Sequence, residues 1–271
     1  MSRLARVLVI AGSDSGGGAG IQADIKTISA LGVYAATAIT AITVQNTLGV
    51  SGIHVVPPET VAGQITAVME DIGADCIKIG MLGDSETVHT VADTLAICAA
   101  GIPLVLDPVM VAKGGAHLLE DAAVEALRTR LLPMATVLTP NIPEAEALAG
   151  IPVRDLDAMA RAGEALRAMG PQAVYMKGGH MDGPQVRDML ITQEDETVFE
   201  APRIDTPHTH GTGCTLASAI AAGLAQGMDL IDASARAHDY VRAAIEAAPG
   251  LGQGHGPLNH LITVEPFHFL S

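Results

Sequence analysis

The chain has 271 residues, 49% of them hydrophobic, and a formal net charge of −15. The acidic balance argues against nucleic acid as a partner, because phosphate backbones are bound by clustered Lys and Arg. No stretch approaches the ~20 apolar residues of a membrane span, and the apolar N-terminal run is too short for a signal peptide, so no membrane partner is expected. The three cysteines are an odd number without a Cys-x-x-Cys pair, which argues against a disulfide framework and favours a cytoplasmic location.

Short apolar runs alternate with amphipathic helical stretches along most of the chain. Strands are predicted at 6–11, 33–44, 75–79, 103–106, 136–138, 173–176, 188–192 and 197–201. Helices are predicted at 19–31, 59–72, 85–100, 121–132, 155–169, 212–226 and 230–247. This alternation predicts an α/β protein with a mostly parallel sheet covered on both faces.

The last two predicted strands are joined by a short acidic turn, which indicates an antiparallel pair. No internal repeat or long linker divides the chain, so a single domain over residues 1–271 is expected. The segment 250–271 is less regular, and its residues suggest no function.

Distinctive polar or glycine positions follow several of the predicted strands. Open α/β sheets bind ligands at the carboxyl ends of their strands, so we expect these residues to line one edge of the sheet. They are Gly12, Gln45, Asn46, Gly80, Met81, Asp107, Asn141 and Lys177.

The glycine-rich segment 12–20 follows the first strand and leads into a helix. Its Gly18-x-Gly20-x-x-Ala23 pattern fits the dinucleotide-binding fingerprint loosely, but the following strand lacks the acidic residue that the fingerprint requires. The chain has no Gly-Lys-Ser/Thr, which excludes a P-loop. The segment is therefore either a ligand-binding turn or a flexible connection between strand and helix.

Two further strand ends carry charged residues with two interpretations each. Asp107 either acts on Mg²⁺-bound water or is a turn residue before Pro108. Lys177 precedes two glycines and either contacts a phosphate or is a solvated strand-end lysine. The chain has only four lysines, so one in a binding position is informative; the others are Lys26, Lys78 and Lys113.

The segment Asn141-Ile142-Pro143-Glu144 also has two interpretations. Asn141 and Glu144 have the spacing of a helix capping box, with Pro143 in the first turn. The same amide and carboxylate are suited to a site near phosphates, with Glu144 organising Mg²⁺ through water. Spacing alone favours the cap, because caps are far commoner than metal sites.

The strongest local signal is the segment 209–216, where Gly211 and Gly213 precede a long Ala-rich helix. Glycines let backbone N–H groups turn inward and form an anion hole at the helix N-terminus, which would hold a transferring phosphoryl group. Cys214 lies in that first turn, where the helix field is expected to lower the thiol pKa below ~8.5 so that the thiolate accepts a proton. The alternatives are a small buried hydrophobe and a metal site with His208 and His210.

Five segments in chain order carry a family resemblance: 12–24, 44–47, 107–110, 139–144 and 210–215. Together they resemble the ribokinase superfamily, and within it the hydroxymethylpyrimidine/phosphomethylpyrimidine kinases of thiamine biosynthesis. The resemblance runs from about Val7 to Ala247. The superfamily more often has Asp where Cys214 stands, and Cys is typical of the pyrimidine kinases.

The resemblance implies a three-layer α/β/α fold, a homodimer, ATP and Mg²⁺, and phosphorylation of 4-amino-5-hydroxymethyl-2-methylpyrimidine and then of its monophosphate. By matching position, Gln45 is expected to hydrogen-bond the pyrimidine. The other implied site residues are Gly12, Ala19, Met81 and Val109 around the pyrimidine, Asp107, Asn141 and Glu144 at Mg²⁺–ATP, Lys177 at the phosphates, and Gly211, Gly213 and Cys214 as anion hole and base.

Two other functions remain open from the sequence. A pyridoxal or pyridoxine kinase shares the fold and acts on a similar flat heterocycle with a hydroxymethyl group. A non-catalytic sensor of the pyrimidine is the other, and intact Glu144, Lys177 and Cys214 argue against it.

Overall fold

The computed structural model describes residues 3–110 and 121–266, so Lys113 and the end of the C-terminal segment lie outside the described residues. One nine-stranded sheet runs through them. Its strands are β1 (Arg6–Ser13), β2 (Tyr34–Asn46), β3 (Gly49–Val55), β4 (Cys76–Ile79), β5 (Leu104–Leu106), β6 (Val137–Leu138), β7 (Ala173–Met176), β8 (Gln185–Ile191) and β9 (Glu196–Pro202).

Helices connect most of the strands, and several begin at the capping residues that the sequence supplies. The Asp84 side chain accepts from the Thr87 N–H, and the Asp155 and Asp229 side chains cap their helices in the same way. The helices are α1 (Gly20–Ala30), α2 (Pro58–Asp71), α3 (Ser85–Cys98), α4 (Asp121–Ala126), α5 (Ile142–Ala149), α6 (Leu156–Arg167), α7 (Thr212–Ala225) and α8 (Leu230–Glu246).

The strand order is β3-β2-β1-β4-β5-β6-β7-β8-β9. The six central strands pair in parallel, in the spatial order β2-β1-β4-β5-β6-β7, whereas β3, β8 and β9 pair antiparallel with their neighbours. From β1 the chain moves outward to β2 and β3, and it then crosses back to β4 on the other side of β1. Open α/β sheets bind ligands at such a reversal of strand order. The mostly parallel sheet predicted from the sequence is confirmed.

Two apolar cores cover the two faces of the sheet. Leu8 and Ile10 of β1 belong to one core, and Val7, Val9 and Ala11 belong to the other, as the alternation of side chains along a strand requires. Both cores consist almost entirely of aliphatic side chains. The three-layer arrangement of helices, sheet and helices follows from this double burial.

Two differences from the sequence predictions concern strand β3 and the helix predicted at 121–132. Strand β3 was not predicted; its side chains are mostly exposed and it contains Gly49 and Gly52, so it carries no hydrophobic signal. The helix predicted at 121–132 is regular only to Ala126, then continues as a π-helical turn and a short 3₁₀ turn that contains Pro133.

Among the described residues, no helix is long and apolar enough to cross a membrane.

Candidate active site

A cavity of about 1170 Å³ opens at the carboxyl edge of the parallel strands. It is somewhat larger than the ~300–1,000 Å³ usual for one small-molecule site, so it has room for more than one ligand. Asn46 and Gly80, which were also expected at this edge, are not part of its lining. The lining includes every predicted site residue: Gly12, Ala19, Gln45, Met81, Asp107, Val109, Asn141, Glu144, Lys177, Gly211, Gly213 and Cys214.

Lys177, Asp107 and Glu144 form a charged cluster on one side of the cavity. The Lys177 Nζ lies 2.8 Å from the Asp107 Oδ1 and 3.8 Å from the Glu144 Oε2. The lysine side chain is only 13% exposed, so it is not a solvated strand-end lysine. Burial alone would lower the Lys177 pKa, but the two carboxylates hold it above its usual value.

Glu144 serves as helix cap and cavity residue at once. Its Oε2 accepts from the Asn141 N–H, and the Asn141 Oδ1 accepts from the Glu144 N–H, which completes the predicted capping box. Burial, together with the nearby Asp107, raises the pKa of Glu144 to about 7 despite Lys177. The two interpretations of this motif are therefore compatible, because the cap fixes the carboxylate at the cavity wall.

Asp107 has one carboxylate oxygen without a partner. Its Oδ1 accepts from Lys177 and Thr139, while its Oδ2 is buried and has no hydrogen-bond partner among the described residues. Among the described residues, no group of three or more His, Cys, Asp or Glu side chains is arranged to hold a metal ion without further ligands. Mg²⁺ usually binds one or two carboxylates together with water and substrate phosphates, so the donors present fit this ion.

The N-terminus of α7 lies beside this cluster. Gly211 precedes α7 in the left-handed conformation, with φ of 85°. A Cβ added to Gly213 would lie 3.0 Å from the Lys177 Nζ, so the first turn of α7 and the lysine are close neighbours. Unpaired N–H groups of a first helical turn and a lysine ammonium are both suited to holding an anion.

Gly211→Ala is expected to lower the free energy of unfolding by about 3 kcal/mol or more. An added Cβ would lie 1.7 Å from the Gly18 carbonyl oxygen, so the glycine-rich segment must move. Gly227, beyond the other end of α7, is the matched control because its φ is also positive, at 83°, but a Cβ there meets nothing within 4 Å. Gly227→Ala is expected to cost only ~1–2 kcal/mol. Urea unfolding of both variants measures the difference, and equal losses would contradict the steric argument.

The expectation of a lowered Cys214 pKa is wrong for this structure. The thiol is partly exposed to the cavity, but loss of solvent raises its pKa to about 12. The ammonium of Lys78 works in the opposite direction, and the carboxylates of Asp24 and Asp107 cancel part of its effect. A thiol with this pKa is almost wholly protonated at pH 7, so the helix field alone does not produce a thiolate.

A family model described as phosphomethylpyrimidine kinase matches residues 14–259. The chain is 51% identical to the hydroxymethylpyrimidine/phosphomethylpyrimidine kinase of Haemophilus influenzae over 264 residues, which cover 96% of this chain and 98% of the relative. The chain belongs to the phosphomethylpyrimidine kinase family. Both the predicted resemblance and the predicted enzyme class, a phosphotransferase, are confirmed.

This kinase also resembles a thiamine biosynthesis bifunctional protein of Geobacter sulfurreducens, with 51% identity over 259 residues. The match covers 96% of this chain but 53% of the bifunctional protein, so the kinase spans about half the length of that relative.

Two solved structures confirm the ribokinase-like fold of the kinase. The phosphomethylpyrimidine kinase of Clostridium difficile has a TM-score of 0.80 and 42% identity, covering 89% of this chain and 99% of its own. The pyridoxal kinase of Bacillus subtilis, solved as an ADP complex, has a TM-score of 0.88 and 36% identity, covering 96% of this chain and 98% of its own.

The kinase contains a buried ion pair that the sequence analysis missed. Lys78 and Asp24 are both fully buried, and the Lys78 Nζ lies 3.0 Å from each Asp24 carboxylate oxygen. The Ser218 hydroxyl of α7 donates to the same carboxylate at 2.7 Å. Cys214 lies one turn before Ser218 on the same face of α7, so this pair supports the helix end that carries the cysteine. The small number of lysines could have drawn attention to Lys78. Its position inside an apolar strand, however, made this segment look like an ordinary core strand.

The C-terminal segment of the kinase, for which the sequence suggested no function, packs against the loop that precedes α7. The His210 N–H donates to the Gly256 carbonyl at 3.1 Å, and the His255 N–H donates to the Thr47 carbonyl at 2.9 Å. Burial lowers the pKa of His260 to about 4, and its Nε2 lies 2.9 Å from the Thr215 hydroxyl of α7. The segment therefore supports both the loop before α7 and the turn after Gln45.

Proposed function

We propose that this kinase transfers the γ-phosphoryl group of ATP to 4-amino-5-hydroxymethyl-2-methylpyrimidine, and then transfers a second one to the resulting monophosphate. One observation carries the proposal: the same continuous cavity is lined by Gln45 and by Lys177, Asp107 and the N-terminus of α7. The relative from Haemophilus influenzae is named for both reactions. The protein would work as one catalytic domain in the cytoplasm, in thiamine biosynthesis.

The proposed roles follow from where each residue lies along the cavity. Gln45 binds the pyrimidine, and the surrounding wall encloses the ring; a Cβ on Gly12 would lie 3.1 Å from the Met81 Sδ, so that wall is closely packed. Lys177 and the first turn of α7 stabilise the charge on the transferring group, which supplies most of the catalysis in phosphoryl transfer. The wall residues are Gly12, Ala19, Met81 and Val109.

We further propose that Asp107 and Glu144 hold Mg²⁺ with the nucleotide, and that Asn141 lies beside its phosphates. Bound Mg²⁺ neutralises phosphate charge. Asp107→Asn is expected to weaken the Mg²⁺ dependence of ATP binding, because the unpaired Oδ2 supplies one of the two proposed contacts. Calorimetry with Mg²⁺ or with EDTA measures it: the unaltered enzyme should bind ATP about 100-fold more weakly in EDTA, and the variant less than about tenfold more weakly. Asp205→Asn, an exposed carboxylate of the same cavity, should keep the dependence.

A coupled ADP-release assay tests the main proposal. We expect turnover with the pyrimidine alcohol and separately with its monophosphate, and little ADP release without an acceptor. Binding of the pyrimidine without ADP release would support a sensor instead and would overturn the proposal.

A pyridoxal kinase is the second candidate, because the pyridoxal kinase of Bacillus subtilis shares the fold. Its 36% identity is below the 51% of the Haemophilus influenzae pyrimidine kinase. Competition between pyridoxine and the pyrimidine alcohol at equal concentration separates the two functions. We expect the pyrimidine to be phosphorylated preferentially, and a preference for pyridoxine would reverse the assignment.

We also propose that the protein is a homodimer that buries the outer face of the β2–β3 hairpin. Ile42 and Val44 are exposed on this face, and Leu48 is exposed in the turn between the two strands. Val44→Asp is expected to convert a particle of two chains into one of a single chain in light scattering after size exclusion. Ile97→Asp, at an exposed position of helix α3, is the matched control and should leave the mass unchanged. A single-chain mass for the unaltered protein would contradict the proposal.

A further inference from the structure

The side-chain amide of Gln45 lies between two polar neighbours. Its Nε2 lies 3.3 Å from the Nε2 of His210, and its Oε1 lies 3.1 Å from the Thr43 hydroxyl. His210 is separated from Gln45 by 165 residues and from Asp14 by 196 residues in sequence. The fold therefore joins the end of β2, the glycine-rich segment and the loop before α7 at this one amide.

Asp14 determines which ring nitrogen of His210 carries a proton. The Asp14 carboxylate accepts from the backbone N–H groups of Gly16, Gly18 and Ala19. Burial alone would raise its pKa, but these bonds and His210 hold the pKa below its usual range, so the carboxylate is ionised. An ionised carboxylate only accepts hydrogen bonds, and the His210 Nε2 lies 2.8 Å from its Oδ2. The Nε2 is therefore a donor whether His210 is neutral or charged.

A donor at the His210 Nε2 fixes the orientation of the Gln45 amide. The two ends of a glutamine amide have nearly the same shape, and their hydrogen bonds decide which is oxygen and which is nitrogen. The single Nε2 proton points to Asp14 at 2.8 Å, so an amide nitrogen of Gln45 at 3.3 Å finds no acceptor there, whereas an amide oxygen can share the proton as the longer branch of a three-centre bond. We infer that His210, held by Asp14, turns the Gln45 amide so that its oxygen faces His210 and its nitrogen faces Thr43, and thereby acts as a specificity-determining positioning residue.

Thr43 is compatible with this orientation of the Gln45 amide but does not select it over the opposite one. Its hydroxyl donates to the Ser13 carbonyl at 2.7 Å, which leaves its oxygen free to accept from the turned amide nitrogen. In the opposite orientation, the same hydroxyl could rotate and donate to the amide oxygen. His210 is therefore the neighbour that distinguishes the two orientations.

The turned amide presents an acceptor on the His210 side and a donor on the Thr43 side of the cavity. This pair matches the edge of a 4-aminopyrimidine, whose amino group donates and whose ring nitrogen N3 accepts. A 4-oxopyrimidine has the reverse pattern, with an acceptor at O4 and a donor at N3. The inference rests on the proposed function, and it assigns the choice between amino and oxo pyrimidine alcohols to His210.

The ratio of kcat/KM for the 4-amino alcohol to that for its 4-oxo analogue tests the inference. Two mismatched hydrogen bonds at ~1–3 kcal/mol each give an expected ratio of about 30 or more for the unaltered enzyme. His210→Met has no donor and should lower the ratio at least about tenfold, because the amide can then turn over. His210→Gln places an amide donor near the Nε2 position and should keep the ratio. His255→Met, an exposed histidine outside the cavity lining, is the matched control and should also keep it.

Two outcomes would overturn the inference while the proposed function stands. One is an unchanged ratio in a folded His210→Met enzyme that still phosphorylates the amino alcohol, and the other is loss of the ratio in His210→Gln as well. If the unaltered enzyme phosphorylates neither alcohol, the proposed function itself fails. A crystal structure of the unaltered enzyme with the amino alcohol tests the geometry without any variant: the exocyclic nitrogen should lie on the His210 side of the amide, and the opposite placement contradicts the inference.

Discussion

Lys177→Met is expected to lower kcat/KM for both phosphoryl transfers about 10³-fold. The variant removes a buried ammonium that lies beside the first turn of α7, where charge develops on the transferring group. Removing one preorganised donor from such a site typically costs ~10²–10³ in rate, and a full positive charge lies at the upper end of that range. Steady-state kinetics with each acceptor measures the loss.

Three comparisons make the Lys177 result interpretable. Lys26→Met removes an exposed lysine and should stay within about twofold of the unaltered rate. Lys177→Arg keeps the charge but changes its shape, so we expect an intermediate loss. Urea unfolding checks that the methionine variant is folded, because Asp107 and Glu144 lose their cation in it. If the folded Lys177→Met enzyme keeps kcat/KM within threefold of the unaltered value, Lys177 acts only as a structural counter-ion for Asp107 and Glu144.

The placement of the site was predictable from the sequence for a simple physical reason. Side chains at the carboxyl ends of parallel strands converge on one edge, so the order of strands and the residue after each one suffice to bring Asp107, Asn141 and Lys177 together. The capping box at Asn141 was equally local, because both hydrogen bonds join residues three positions apart. Predictions that rest on such short spacings need no knowledge of the rest of the chain.

Properties that depend on distant neighbours were not predictable in this way. Burial of the Cys214 thiol by the surrounding chain raises its pKa and so reverses the expected direction. The charged groups that act on it, Lys78, Asp24 and Asp107, come from three other parts of the chain. His210 was read only as a metal-ligand candidate, because its partner Asp14 lies 196 residues away. Strand β3 was missed because its exposed face gives no hydrophobic alternation.

Cys214→Ala is expected to slow the first phosphorylation about 10³-fold and to change the second less than about threefold. The first acceptor is an alcohol, which must lose a proton to a base, and such a base contributes ~10²–10⁴ in rate. The second acceptor is a phosphate that is already anionic and needs no base. Cys98→Ala, a cysteine of helix α3, is the matched control and should leave both steps unchanged.

The pKa of Cys214 gives this prediction its pH dependence. With a pKa of about 12, the thiolate fraction rises about tenfold for each pH unit below that value. The first step should therefore accelerate about tenfold per unit from pH 7 to pH 9, while the second stays nearly flat. Cys214→Asp supplies a base that ionises at lower pH, so its first step should lose most of this slope. The base role would be contradicted if Cys214→Ala lost equal rate in both steps and the first step of the unaltered enzyme did not accelerate with pH. Cys214 would then only line the anion hole, and the backbone of α7 and Lys177 would stabilise the transferring group.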